Sequence, residues 1–148
     1  MGNTLRAFVR DGNRQADCLS LLVFFSCLVQ NEPILEQPAG SVLPKMVPLK
    51  TVFEYFHFSK TSLRLGVYGA ESMKPLHLWH RSPCYKQLRK SIPFSRVRPL
   101  VRLAKPFIDK KGKKRFTGDR RALKRSQEYP RPFCGRAAAL TADRMGFA

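Results

Sequence analysis

Basic side chains are concentrated in the second part of the sequence, and this limits where a hydrophobic core can form. Residues 81–136 carry nineteen lysine and arginine residues against three acidic ones, whereas residues 1–80 carry eight against six. Apolar side chains also become sparser beyond residue 80. Because a segment of high net charge and low hydrophobicity buries too little apolar surface to fold, we expect a basic, largely disordered C-terminal half.

The length and the proline content restrict the architecture further. A chain of 148 residues has room for one small domain, but eleven prolines and a net charge of +18 act against one uniform fold. The sequence predicts a weakly specified α+β fold with an N-terminal apolar segment, a β-hairpin and short helices broken by prolines. Its segments are a basic and apolar stretch over 1–29, a proline-rich linker over 30–50, a hairpin-like apolar stretch over 51–80 and a basic tail region over 81–148.

The apolar run CLSLLVFFSCLV at residues 18–29 has two interpretations. Its twelve residues carry no charge, and a membrane span needs about twenty. With Arg6, Arg10 and Arg14 before it, the run resembles the apolar region of a signal peptide, although a bulky phenylalanine occupies the position three residues before the best cleavage points. The other interpretation is a buried helix or strand of the core.

Two stretches after the linker predict a β-hairpin. TVFEYFHF at residues 51–58 is rich in β-branched and aromatic residues, and LRLGVY at residues 63–68 places apolar side chains at alternate positions. Because an isolated hairpin is marginally stable in water, we expect it to pack on residues 18–29.

Short helices are predicted in the basic half. Ser82 followed by Pro83 is typical of a helix start, since serine caps the first turn and proline lacks the amide hydrogen that this turn leaves unpaired. Asp119 is placed to cap a short basic helix that runs to about residue 127. A last helix over residues 136–145 would end at Gly146.

No catalytic or cofactor-binding motif is complete in the sequence. His77, His80 and Cys84 have a spacing that could supply three ligands to zinc, with Cys134 or His57 as a distant fourth, but a second close pair of ligands is missing. No base can be assigned to a cysteine nucleophile, and no glycine-rich phosphate loop is present. We therefore expect a protein that is not an enzyme and that uses no metal or cofactor.

The stretch KKGKKRFTGDRRALKR, residues 110–125, is the strongest functional signal, with nine basic residues and one acidic residue. Lysine and arginine neutralise phosphates and release condensed counterions, and aromatic rings among them stack on bases. The pattern predicts a small nucleic-acid-binding protein, with RNA a better partner than DNA. The expected phosphate contacts are Lys110, Lys111, Lys113, Lys114, Arg115, Arg120, Arg121, Lys124 and Arg125, and the expected stacking residues are Phe107, Phe116 and Tyr129.

The same features leave other hypotheses open. Residues 110–115 resemble a nuclear-localisation cluster, which favours the nucleus or nucleolus. If residues 18–29 instead insert into a membrane or direct export, the chain would be a peripheral membrane or secretory-pathway protein whose basic half attracts anionic lipid headgroups. The alternative locations are then the mitochondrion or the secretory pathway. A third hypothesis is a translated open reading frame with no selected function, because the local signals do not combine into one architecture.

Overall fold

Helices and strands are interspersed along the chain, which confirms the α+β class. The computed structural model describes residues 6–89, 105–118, 121, 124 and 128–146. The α-helices with defined bounds are α1 (Ala7–Leu28), α2 (Val47–Tyr55) and α3 (Arg131–Met145). The strands are β1 (Leu35–Pro38), β2 (Ser59–Arg64), β3 (Pro75–His80), β4 (Lys105–Ile108) and β5 (Lys114–Thr117). Short 3₁₀ helices cover Leu43–Lys45, Leu65–Tyr68 and Pro83–Leu88.

The chain divides into two compact units. The first unit comprises Met1–Ser62 and Leu76–Lys86, and the second comprises Leu63–Pro75 and Gln87–Ala148. Helices α1 and α2 belong to the first unit, together with β1 and most of β2 and β3. Helix α3 and the hairpin of β4 and β5 belong to the second.

The first unit contains a three-stranded sheet in the order β1-β3-β2. Strands β1 and β3 pair antiparallel, with Leu35 opposite Trp79 and Pro38 opposite Leu76. Pro38 has no amide hydrogen to donate, and it is tolerated because β1 is an edge strand.

The core of the first unit lies where α2 packs against α1. Leu49, Val52 and Phe53 follow one another at helical spacing, so they share the buried face of α2. Opposite them lie Val23 and Cys27 of α1. Partly buried apolar side chains complete this core; these are Leu19, Phe24, Leu35, Leu43, Phe56, Phe58 and Trp79.

The predicted β-hairpin over residues 51–68 is wrong. Its first half lies largely in α2, and Leu65–Tyr68 is a 3₁₀ helix, so only Ser59–Arg64 is a strand. That strand pairs with β3 instead. The cause is packing between distant parts of the chain. The apolar side chains of residues 47–55 form one helical face against α1, and the burial of this face outweighs the strand preference of these residue types.

The predicted linker over residues 30–50 contains regular structure, which corrects the expectation drawn from its prolines. It includes β1, a 3₁₀ helix and the start of α2. Pro44 and Pro48 each lie in the first turn of a helix, where no hydrogen bond from the proline nitrogen is required.

Helices α1 and α2 end in the same way, and neither ends with glycine. Gln30 (φ 61°) and His57 (φ 56°) adopt the left-handed conformation directly after the helix caps. The amide of Asn31 donates to Ser26 O at 2.9 Å, and the amide of Phe58 donates to Phe53 O at 2.8 Å. These six-to-one bonds satisfy carbonyls that a helix end leaves open, and they hold two ordinary residues in a conformation that glycine adopts more easily.

In the second unit, Phe133 of α3 packs against Tyr68. The centres of the two rings are 5.3 Å apart, and the rings meet edge to face. The hydroxyl of Tyr68 donates to the carbonyl of Leu88. Helix α3 ends at Gly146 (φ 73°) as predicted, but it begins at Arg131 rather than at residue 136. Pro132 in its first turn explains the earlier start, because proline is favoured there.

The outer side of α1 carries exposed apolar side chains over its C-terminal half. Leu21, Leu22, Phe25, Leu28 and Val29 are all more than half exposed. They lie opposite Val23 and Cys27, which face the core. Among the helices of the described residues, none has the length and hydropathy needed to cross a bilayer.

Candidate nucleic-acid interface

Seven of the twelve side chains predicted to contact nucleic acid lie in one β-hairpin of the second unit. Strands β4 and β5 pair antiparallel, with Lys105 opposite Thr117 and Ile108 opposite Lys114. Every residue of both strands is exposed. Both faces of the hairpin are therefore exposed to solvent.

The turn of this hairpin is built by Asp109 and Gly112. The amide of Gly112 donates to Asp109 O at 2.9 Å, and the amide of Asp109 donates to Lys113 O at 2.9 Å. Gly112 has a φ of 71°, a conformation that costs glycine little. A three-residue loop with glycine in this position is a common hairpin connection, so the sequence D-K-K-G-K closes the hairpin.

The carboxylate of Asp109 holds the turn together. Its Oδ1 accepts hydrogen bonds from the amides of Lys111 and Lys113, each at 2.9 Å, and its Oδ2 pairs with Arg115 Nε at 3.0 Å. The backbone hydrogen bond from Lys113, followed by the Arg115 contact, lowers the pKa of Asp109 below its usual value. The carboxylate is therefore ionised at neutral pH.

The positive charge of the hairpin is largely uncompensated. Asp109 is the one acidic residue of 105–118 against six basic ones, and it is paired with Arg115. The remaining lysines of the turn and of β5 have no acidic partner among the described residues; they are Lys110, Lys111, Lys113 and Lys114. A concentrated positive charge of this kind attracts phosphate groups.

Each face of the hairpin carries one exposed phenylalanine beside a basic residue. Directly opposed residues of an antiparallel pair point to the same face, so Phe107 shares a face with Arg115, its partner in the register. Phe116 lies on the other face at 68% exposure, and Lys114 Nζ is 6.0 Å from its ring centre. Both phenylalanine rings are therefore exposed to solvent.

The other five predicted contacts lie outside this hairpin. Arg121 and Lys124 are helical and exposed, whereas Arg120 and Arg125 lie outside the described residues. Tyr129 precedes α3, where its ring stacks on Phe133 at 5.8 Å and has Lys74 Nζ at 5.3 Å. These contacts leave less of the Tyr129 ring to a base than either hairpin phenylalanine offers.

Sequence reasoning missed the hairpin and two of its residues. Lys105 adds a sixth basic side chain to it, and Asp109 sets its turn. The signal was present as D-x-x-G between two short apolar and basic stretches, 105–108 and 114–117, which is typical of a hairpin with a three-residue loop.

The histidines considered as zinc ligands are separated by the geometry of β3. His77 and His80 are three residues apart on a strand, so they point to opposite faces. His80 is fully buried, and its Nε2 is 2.8 Å from Thr61 Oγ1 on β2. Within the described residues, no three histidine, cysteine or acidic side chains are grouped as metal ligands would be.

Comparisons of the chain with protein-family models, with curated proteins and with solved structures found no match.

Proposed function

We propose that this protein binds single-stranded RNA without catalysing a reaction, and that the hairpin of β4 and β5 is its main contact. The observation that carries the proposal is the combination of uncompensated lysines and exposed phenylalanines on one two-faced hairpin. Lysines supply affinity for any phosphate backbone, whereas exposed rings favour bases that are not stacked in a duplex. RNA is recognised mostly through such single-stranded regions.

The wider basic half takes part in the same proposal. Arg121 and Lys124 continue the exposed positive charge beyond the hairpin. The expectation from composition of a basic, largely disordered C-terminal half stays a prediction, and RNA binding through the hairpin does not require it. An amide NMR spectrum of the full chain without RNA tests this expectation by its signal dispersion.

The first experiment measures salt dependence. Fluorescence anisotropy of a labelled twelve-nucleotide oligouridine is recorded with the full-length protein between 50 and 200 mM salt, a range set by the sensitivity of phosphate contacts. The variant replaces Lys110, Lys111, Lys113 and Lys114 with glutamine. Because each single-strand phosphate contact contributes about 0.7 to the slope of log K against log salt, the slope should fall by up to about 2.8.

A matched control removes the same charge from the first unit. It replaces four exposed basic residues of that unit with glutamine, namely Arg10, Arg14, Lys45 and Lys60. The control should keep the slope of the unmodified protein. Equal losses in both variants would show that net charge, and not the hairpin, carries the binding.

Base stacking is tested separately with Phe107→Ala and Phe116→Ala. Loss of one stacked base costs about 1–3 kcal/mol, or roughly five-fold to 150-fold in affinity. The loss should be larger for the oligouridine than for a duplex DNA of equal length, in which bases are already stacked. Affinity unchanged in both variants would remove the phenylalanines from the interface.

A further inference from the structure

The exposed apolar side chains of α1 form a surface that the RNA proposal does not use. We define the outer α1 face as Leu21, Leu22, Phe25, Leu28 and Val29, which are between 54% and 68% exposed. Soluble proteins rarely expose large apolar side chains as one contiguous group, and such a group marks an interaction surface.

Aromatic contacts extend this surface from α1 to the end of α2. Phe25 contacts Phe24 edge to face at 5.7 Å, Phe24 contacts Phe56 at 5.6 Å, and Phe56 contacts Tyr55 at 4.9 Å. Tyr55 is itself 69% exposed. The guanidinium of Arg81 lies 5.8 Å from the Phe56 ring centre, so a cation borders the surface.

Arginines precede the outer α1 face on the same side of the helix. Arg10 and Arg14 are exposed, and Arg14 lies seven and eleven residues before Leu21 and Phe25, a spacing that keeps one helical face. Asp11 and Asp17 are exposed on the same side, since Asp17 lies four residues before Leu21 and Asp11 lies eleven before Leu22, so the helix itself has little net charge. Most of the attraction for an anionic partner must come from the chain as a whole, at +18.

The net positive charge of the chain favours an anionic membrane over a second copy of the chain as the partner of this surface. A second copy of the chain would bring another charge of +18 to an apolar contact, which opposes self-association. An anionic lipid surface accepts apolar side chains between its headgroups and attracts the surrounding cations. Tyrosine and arginine at the border of an apolar region are also suited to the headgroup level, where one end of the side chain is apolar and the other is wet.

We propose that the outer α1 face inserts into the headgroup region of an anionic membrane. The segment from Leu21 to Val29 rises about 12 Å along the helix axis, so a patch of this length lies in the interface with its apolar side chains about 5–10 Å deep. The apolar side chains that insert belong to the first unit alone, whereas the attraction to anionic headgroups comes from the charge of the whole chain.

The first test is co-sedimentation of the full-length protein with lipid vesicles. Vesicles of phosphatidylcholine with phosphatidylserine are compared with phosphatidylcholine alone. The variant Leu22→Ser with Phe25→Ser should bind anionic vesicles at least about tenfold more weakly, because two apolar side chains no longer insert. The matched control is Ile108→Ser with Phe116→Ser, which removes two exposed apolar side chains of the hairpin and should bind as the unmodified protein does.

Equal binding by both double variants would show adhesion through charge alone and would overturn the proposal. Equal binding to neutral and anionic vesicles would also overturn it, because charge would then not select the surface. Dimerisation without lipid in sedimentation velocity, lost in the Leu22 and Phe25 variant, would assign the face to a second copy instead.

A second test does not depend on loss of binding. Phe25→Trp keeps the face apolar and places a fluorophore on it, whereas Phe116→Trp places one on the hairpin. Brominated lipids should quench the fluorescence that Phe25→Trp adds and should leave the fluorescence that Phe116→Trp adds unchanged. Insertion of the outer α1 face is contradicted if only the Phe116→Trp fluorescence is quenched, or if neither is. The RNA affinity of the Leu22 and Phe25 double variant should equal that of the unmodified protein, so failure of either proposal is distinguishable from failure of the other.

Discussion

The buried hydrogen bond between Thr61 and His80 predicts that Thr61→Val lowers the free energy of unfolding. Both side chains are almost fully buried, and Thr61 Oγ1 lies 2.8 Å from His80 Nε2 across neighbouring strands. Valine has nearly the same shape as threonine, so the change removes the hydrogen bond and leaves little cavity. A buried polar atom that loses its partner costs about 1–3 kcal/mol. We expect the free energy of unfolding to fall by that amount.

Urea unfolding followed by the fluorescence of Trp79, the one tryptophan of the chain, measures this loss next to His80. With a urea dependence of about 1–3 kcal/mol per molar, the midpoint should fall by roughly 1 M. Thr51→Val is the matched control, because Thr51 is exposed on α2 and the same change there should alter stability by less than about 0.5 kcal/mol. If Thr61→Val were as stable as Thr51→Val, the hydrogen bond would not contribute to the fold.

Three further predictions concern stability and are checked by the same unfolding assay. Gln30→Gly should raise the free energy of unfolding by about 1 kcal/mol because residue 30 has a positive φ, whereas Gly69→Ala, at φ 93°, should lower it by about 1–2 kcal/mol; equal signs would refute the backbone argument. Burial lowers the pKa of His80, and this outweighs the opposite effect of the Ser82 backbone. As the pH falls, the unfolded chain therefore takes up a proton before the folded chain does. The free energy of unfolding should be constant above about pH 6.5 and should fall below it by up to about 1.4 kcal/mol per pH unit. A flat profile between pH 7 and pH 5.5 would contradict this. Leu49→Ala should cost about 2–5 kcal/mol because Leu49 is fully buried, while Val47→Ala, on an exposed position of the same helix, should cost under about 0.5 kcal/mol.

The features that the sequence predicted correctly depend on short-range chemistry. Gly146 ends α3, and the helix after Ser82 begins at Pro83, because capping and proline geometry act within a few residues. The amide of Cys84 donates to Ser82 Oγ at 3.4 Å, which is the contact expected of a serine cap. The last helix was predicted to begin at residue 136, but it begins at Arg131 because Pro132 is favoured in the first turn of a helix.

The failures arose where distant contacts decide the conformation. Residues 51–55 have strand-forming side chains, yet Val52 and Phe53 are buried together only if the segment is helical against α1. The partner of β2 is β3, which local patterns cannot identify because the pairing joins segments separated by a 3₁₀ helix and a loop. The basic cluster was found from charge alone, but its hairpin geometry depends on the turn hydrogen bonds of Asp109.

The division of the chain into two units has a consequence for any attempt to isolate one of them. The chain passes from one unit to the other after Ser62, after Pro75 and again after Lys86, so neither unit is a continuous stretch of sequence. A fragment that begins near residue 81 would lack residues 63–75 of the second unit, including Tyr68, on which Phe133 packs. A single proteolytic cut between residues 63 and 75 would leave both parts of the first unit intact, but it would sever their covalent connection. We therefore expect that neither unit can be prepared whole as one uninterrupted fragment of the chain.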